Sequence, residues 1–389
     1  MEFRDDPAQA AWRTEVRDFL AREEQYVPRG DVGEGTWKDN PQVQVWRKRL
    51  AANGWIAPAW PKEYGGAGLG VMEQFVMNEE FAEHEVTSVF DTGVLLVGPT
   101  LIVHGSEEQR AKFLPTILKG EVQWCQGFSE PGAASDLAGL QTRAIRDGDD
   151  FVINGQKIWT SYAHLADWIF VLCRTAPDAP KHRGISMFLV DMKTPGISVR
   201  PLVNMAGKLG FNETFFEDVR VPASQVVGEV NRGWYISTTT LDFERSAVGS
   251  VVGQRKSLER YIRYVNEHKN DGTVTYTPSL KAEFADRWIE SATAKLLSYR
   301  VATMQAKGMV PNHEASISKV FTTELGQRIA RTALHAIGPY GMLAAGPRSP
   351  FNGNVAMGYV GTPGGTIAGG TSEIQRNIIA TRGLGLPRG

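Results

Sequence analysis

Cysteine is nearly absent from this chain, with two residues, Cys125 and Cys173, among 389. Both stand in apolar, strand-like contexts, which suits buried thiols in a reducing compartment and argues against a disulfide framework. Net charge is almost nil, at -1. No polyanion-seeking surface is therefore expected, and nucleic acid is not an expected partner. No stretch approaches the roughly 18 uninterrupted apolar residues of a membrane span. The start, MEFRDDPAQ, shows no basic-then-apolar leader. The expectation is a soluble, cytoplasmic protein with no membrane contact and no metal site. Internal repeats and low-complexity tracts are also missing. What remains is enough chain for two or three packed units around a large core.

The first third reads as helical. Residues 7–25 place Trp12, Val16, Phe19 and Leu20 at helical spacing. A second helix is expected over 41–52, with Trp46 and Leu50 inward and Asn53-Gly54 as its stop. The loop 59–70, AWPKEYGGAGLG, is too rich in Gly and Pro for regular structure. Ser106-x-x-Gln109 is a capping-box pattern. From about 122 the texture changes. Short β-branched or aromatic runs at 151–153, 168–173, 185–190, 197–201 and 214–221 argue a small antiparallel sandwich or barrel. After Gly233 helices return. Leu241, Val248, Val251, Leu258, Ile262 and Val265 suit one long helix, and Leu280, Phe284, Trp288 and Leu296 the inner face of a second. Ile317, Val320, Phe321, Ile329 and Ile337 mark a third, ended by Gly338-Pro339. Ser372-x-x-Gln375 is expected to cap a fourth. The fold class is thus α+β, in three parts: a helical domain over 1–120, a β domain over 121–230, and a four-helix bundle over 231–389.

The stretch 122–161 organises the rest. Trp124, Cys125 and Phe128 lead into the turn Ser129-Glu130-Pro131-Gly132, then Ser135-Asp136 and an alternating strand. Asn154-Gly155 is a hairpin signal, and a second strand ends in Trp159-Thr160-Ser161. Two strand ends finishing in hydroxyls, one carrying an indole, make a pocket for a flat, polar-edged ligand. The Gly-rich run 361–370 is not a phosphate-binding P-loop, because no Gly-Lys-Ser/Thr follows.

These residues resemble the flavin-cradling segment of the acyl-CoA dehydrogenases. The family patterns stand here as Ser129-Glu130-Pro131-Gly132-Ala133-Ala134-Ser135-Asp136 and Gly155-Gln156-Lys157-Ile158-Trp159-Thr160-Ser161, with Ala134 for the usual glycine. The resemblance covers nearly the whole chain and matches the three-part α, β, α plan. It implies FAD as cofactor, held by Gln126, Phe128, Ser129, Ser135, Trp159, Thr160, Ser161 and Thr371. It implies α,β-dehydrogenation of an acyl-CoA thioester, with electrons passed to an electron-transfer flavoprotein. Such chemistry needs a carboxylate base in a dry pocket and donors to the thioester carbonyl.

Most of the family carries that base in a Tyr-Glu-Gly-Thr element, where this sequence has Ala368-Gly369-Gly370-Thr371. A minority places the glutamate on the first bundle helix, and Leu241-Asp242-Phe243-Glu244-Arg245 resembles that element. Glu244 is therefore the expected base. Gly369 keeps the backbone N–H that polarises the thioester in the family. Ser135, Asp242 and Arg245 align with positions touching the thioester or pantetheine. The turn Lys181-His182-Arg183 could meet coenzyme A phosphates or be a solvated loop.

Two elements that grip a neighbour's FAD in homotetrameric members are altered. One reads Glu267-His268-Lys269-Asn270-Asp271-Gly272, without Arg or Phe; the other reads His335-Ala336-Ile337-Gly338-Pro339-Tyr340-Gly341. A bidentate Arg–phosphate contact is not replaced by histidine without loss, and proline removes a donor. The combination resembles the glutamate-bearing subunits of heterotetrameric, steroid-degrading acyl-CoA dehydrogenases. It implies a homologous, base-less partner chain and a bulky, branched or steroid-derived acyl group. Other readings remain: a homo-oligomeric enzyme for short- or medium-chain thioesters, a flavin monooxygenase or nitroalkane oxidase on the same fold, and a non-catalytic partner subunit, against which Glu244 argues.

Overall fold

The computed structural model describes residues 5–29, 38, 40–86, 91–242 and 248–387. Helices α1 (Pro7–Arg22), α2 (Pro41–Ala51), α3 (Val71–Glu83), α4 (Gly98–His104) and α5 (Glu107–Lys119) come first. Strands β1 (Trp124–Gly127), β2 (Arg143–Asp147), β3 (Asp150–Lys157), β4 (Trp168–Arg174), β5 (Ile185–Asp191), β6 (Ile197–Leu202) and β7 (Phe211–Pro222) follow. Then come α6 (Gly233–Asp242), α7 (Val248–His268), α8 (Pro278–Ala306), α9 (His313–Ile337), α10 (Asn354–Gly365) and α11 (Ser372–Ile378). Contacts gather them into two compact units. One holds α1, α3 and α7 to α11; the other holds α2, α4, α5, the strands and α6.

In the helical unit, α1 opens on a capping box between Asp6 and Gln9 with Pro7 at its first position. It buries Val16, Phe19 and Leu20. α7, α8 and α9 pack Val251, Leu258, Phe284, Ala294, Leu325 and Ile329 into one core. Trp288 and Leu296 depart from the expected inner face of α8 and are 46% and 44% exposed. The buried residues of that helix are Leu280, Phe284, Ser291, Ala294, Ser298, Val301 and Ala302; beyond Phe284 the buried stripe continues through smaller residues, and it leaves 288 and 296 off the core. The fourth cap is also one residue earlier than expected. Thr371, not Ser372, accepts from the Ile374 N–H. The expected long helix over 241–265 is represented by α6 and α7, and 243–247 lies outside the described residues.

In the other unit, the strands run in the order β1-β4-β2-β3-β7-β6, with β5 also paired to β4. Pairing is antiparallel except between β1 and β4 and at the Arg143–Arg174 bridge. Its core contains Ile153, Ile169, Val171, Phe188, Val190, Phe216 and Val219. Both cysteines are buried and free, and burial pushes the Cys173 thiol up to about 12. The α5 capping box of Ser106 and Gln109 forms as expected.

Asn154-Gly155 is not the hairpin turn. The β2–β3 turn falls at Gly148, with φ +65°, and Asp147 pairs with Asp150. Asn154 and Gly155 lie inside β3, at a register shift against β7. A Cβ at Gly155 would sit 2.6–2.8 Å from Thr142, so the glycine marks a bulge where two backbones meet closely.

Candidate active site

The loop after β1 is tied to β3 by a buried ion pair. Lys157 Nζ lies 2.8 Å from Glu130 Oε1 and donates to the Phe128 carbonyl at 3.1 Å. The remaining Glu130 lone pairs accept from the backbone N–H groups of Gln141 (2.6 Å) and Thr142 (2.8 Å). Burial raises the Glu130 pKa, but the Lys157 charge and these donors outweigh it and hold the carboxyl below its ordinary range. Ile158 N–H donates to the Ser129 carbonyl at 2.9 Å. Together these bonds hold the strand end carrying Gln126, Phe128 and Ser129 beside the strand end carrying Trp159 and Thr160.

The cradle contains polar groups that are buried yet unspent. Thr160 is 0% exposed, and neither its Oγ1 nor the Nε2 of Gln126 has a partner among the described residues. The Oγ1 of Thr214, one strand over, is in the same state. Buried polar groups are rarely left so, since each costs about 1–3 kcal/mol unless something meets it. The Thr160 backbone is itself firmly placed: its N–H donates to the Asn212 carbonyl at 3.0 Å, and Asn212 Nδ2 returns a bond to the Thr160 carbonyl at 2.9 Å.

Trp159 adopts φ +59°. A bulky side chain in the left-handed region costs on the order of 1–2 kcal/mol and marks a site where the backbone serves the side chain's direction. The indole is 56% exposed and stands edge-on to Phe211, centroids 6.1 Å apart. Phe128 is buried against Phe170. An exposed indole, a buried ring and unspent hydroxyl and amide groups suit a flat heteroaromatic ligand with polar edges.

Ser135 and Ser161 are exposed on the flanking loops. Next to Ser135, Asp136 pairs with Lys181 at 2.9 Å, and His182 stacks edge-on against Trp234 at 4.5 Å. In the helical unit, Gly369 has φ +64° and a Cβ there would meet nothing within 4 Å. Thr371 caps α11. Asp242 closes α6, while Glu244 and Arg245 lie outside the described residues. At the two altered elements, side chains engage their own chain. His268 pairs with Asp271 at 2.6 Å, and bonds from Thr273 and then His268 lower the Asp271 carboxyl to about 2. His335 Nδ1 lies 3.3 Å from Glu283.

Sequence reasoning had Glu130 and Lys157 inside its quoted motifs without giving them a role. It missed Asn212 altogether, because nothing at that position signals that a strand 52 residues later holds Thr160.

A cradle for a flat ligand on a mixed sheet, flanked by helices on both sides in sequence, defines the class. Family models match in chain order: the acyl-CoA dehydrogenase N-terminal domain over 6–121, middle domain over 125–219 and C-terminal domain over 231–384. The chain belongs to the acyl-CoA dehydrogenase family. It is 39% identical over 346 residues to acyl-CoA dehydrogenase IpdE1 of Mycobacterium tuberculosis, covering 89% of this chain and 88% of that one. Its fold is similar to the Tcur3481-Tcur3483 steroid ACAD, with TM-score 0.86, 34% identity and full coverage of both chains. It is similar too to the ChsE4-ChsE5 complex of Mycobacterium tuberculosis, with TM-score 0.84, 34% identity and full coverage of both chains. No helix among the described residues is long and apolar enough to cross a membrane.

Proposed function

We propose that this chain is the base-bearing subunit of an FAD-dependent acyl-CoA dehydrogenase acting on a bulky, ring-bearing acyl thioester. The observation that carries the reading is the cradle, in which Gln126 Nε2 and Thr160 Oγ1 are buried without partners among the described residues, beside a strained, exposed Trp159. An isoalloxazine edge, with its alternating carbonyls and ring nitrogens, would satisfy both. Gln126, Phe128, Ser129, Ser135, Trp159, Thr160, Ser161 and Thr371 would hold the cofactor, which when bound supplies the acceptor for the substrate's β-hydrogen.

The chain's own residues supply the proton chemistry. Glu244 takes the α-proton onto its carboxylate, a role supported by the Leu241–Arg245 motif and by glycine where most relatives carry glutamate. The Gly369 N–H donates to the thioester oxygen as negative charge builds there. Among the described residues that N–H has no other acceptor. Ser135, Asp242 and Arg245 orient the thioester and pantetheine. The open space around Gly369 supports a wide acyl group. Similarity to a protein named as a steroid ACAD supports a steroid-derived one. The division at 1–120, 121–230 and 231–389 belongs to the same reading, supported by three family models matched in that order. An electron-transfer flavoprotein would reoxidise the cofactor.

Glu244→Gln tests the base. With a steroid-acid CoA thioester such as cholanoyl-CoA, bleaching of the flavin absorbance should disappear while flavin content stays at the wild-type level. Undiminished bleaching would overturn the assignment.

A further inference from the structure

We infer that the outward face of α8 is where two copies of this chain meet, with their helices antiparallel across a twofold axis. The inference deepens the proposed function: it says how two base-bearing subunits join, and it rests on that subunit occurring twice in its assembly. The inner face of α8 is packed within its own chain, through Leu280, Phe284 and Ala294. A second apolar stripe runs along the opposite side. Ala285, Ile289, Ala292 and Leu296 recur there at steps of four, three and four, and Trp288 flanks them. All five are exposed, Ile289 at 63%. A helix apolar on two faces is covered on both, and this spacing is that of a lengthwise helix–helix seam.

What covers it follows from the order of residues along the stripe, which is self-complementary when reversed. Centring an antiparallel pair between Ala292 and Thr293 sets Ile289 of each copy level with Leu296 of the other. Small residues then lie at the axis, where the helices come closest. Thr293 has its hydroxyl turned back onto the Ile289 carbonyl, at 3.0 Å, and needs no water there. The same register sets Asp286 beside Arg300 of the other copy, on the same side of the seam. Asp286 is exposed; Arg300 is half exposed and approaches Glu314 at 3.7 Å, near the outer limit of an ion pair. The charges between them are engaged within the chain: Arg287 and Arg328 lie 2.7 and 3.0 Å from Glu290, and Lys295 lies 2.7 Å from Glu79. Apolar residues thus oppose apolar ones and opposite charges meet at both ends, as an isologous contact requires. Two single stripes bury less than the roughly 1,200 Å² of a standard interface, so the contact suits one joint of a larger assembly.

Cysteine linking tests the contact in the flavin-loaded protein, since Cys125 and Cys173 are buried and should stay silent. With a short bis-maleimide, Ala292→Cys should give a covalent pair of copies at twice the mass of the chain. Asp286→Cys and Arg300→Cys should each give little, because in this register identical positions lie about 20 Å apart along the seam. The double variant should link, and only between copies, because the helix separates the two sites by about 21 Å within one chain. Ile289→Asp added to Ala292→Cys should cut linkage on the order of tenfold by setting a carboxylate against Leu296. Linkage of the Ala292→Cys protein to a different chain, no linkage at all, or equal linkage at every site would overturn the inference; the first would put the homologous partner on this face. Flavin content and cholanoyl-CoA bleaching, measured on the same preparations, report on the proposed function separately. Wild-type protein that does not bleach would sink that reading without touching the linkage result.

Discussion

Thr160 carries a buried hydroxyl that makes no hydrogen bond to the described residues of the fold that contains it. Its backbone is bound on both sides by Asn212, yet its buried hydroxyl has no partner among the described residues. Thr160→Val replaces the hydroxyl by a methyl of the same shape, and removing an unmet polar group is neutral or stabilising. The urea midpoint of the flavin-free protein should therefore hold or rise slightly. Flavin affinity should fall about 2- to 12-fold, the worth of one ordinary hydrogen bond of about 0.5–1.5 kcal/mol. A urea melt of the apoprotein and its fluorescence titration with FAD check the two halves, and a lower urea midpoint with unchanged affinity would show the hydroxyl to be structural. Lys157 illustrates the opposite case, a functional motif residue with a structural job. It is fully buried, and among the described residues its ion-pair partner is Glu130. Lys157→Met strands a buried carboxylate and should cost about 3–5 kcal/mol, seen as a large drop in the urea midpoint.

At the scale of elements, α1, α3 and α8 are joined by charge as well as by apolar packing. Glu80 of α3 is buried and accepts from Arg13 at 2.6 Å and Arg17 at 2.8 Å, both on α1. Glu79 is met by Arg13 and by Lys295 and Tyr299 of α8. Burial raises the Glu80 pKa, but Arg17 and Arg13 outweigh it and the net direction is down. Asp5 is lowered chiefly by its bond from Arg13. Carboxyls depressed in the folded state bind fewer protons than in the unfolded chain, so stability grows with pH through this range. Their contribution is complete above the unfolded values near pH 4 and is lost as pH falls through the lower folded values. Urea midpoints measured between about pH 3 and 6 should fall steeply at the acid end. Glu80→Gln should be less stable at neutral pH by on the order of 3 kcal/mol and show a shallower acid slope. An identical slope would place the acid sensitivity elsewhere.

For the whole molecule, the consequential question is how much of a flavin site one chain can supply. The two elements that would serve a neighbour carry His268 and His335, each paired with a carboxylate of its own chain. Under the proposed function, the chain expressed alone should carry little flavin. Co-expression with a homologous chain lacking the base should yield one FAD per pair of chains in a two-plus-two assembly. Flavin absorbance together with light-scattering mass decides this. A homo-oligomer with one FAD per chain would overturn the shared-site reading and favour a conventional enzyme of the family.

Sequence alone determined the α, β, α order, the capping box at α5, the buried cysteines and the cradle motifs, because these rest on local periodicity, caps and contiguous strand ends. It also pointed to Glu244 through a contiguous helix motif and the vacancy at Gly369. Only the tertiary structure decided that Gly155 is a bulge pressed against Thr142, that Trp288 and Leu296 face outward, and that Gln375 clamps a glycine carbonyl. Each of these depends on what another strand or helix places opposite, as Asn212 does for Thr160 and Lys319 for Gly370. Local patterns state what a segment tends to form; the partner that meets its polar groups comes from residues distant in sequence, and only packing brings the two together.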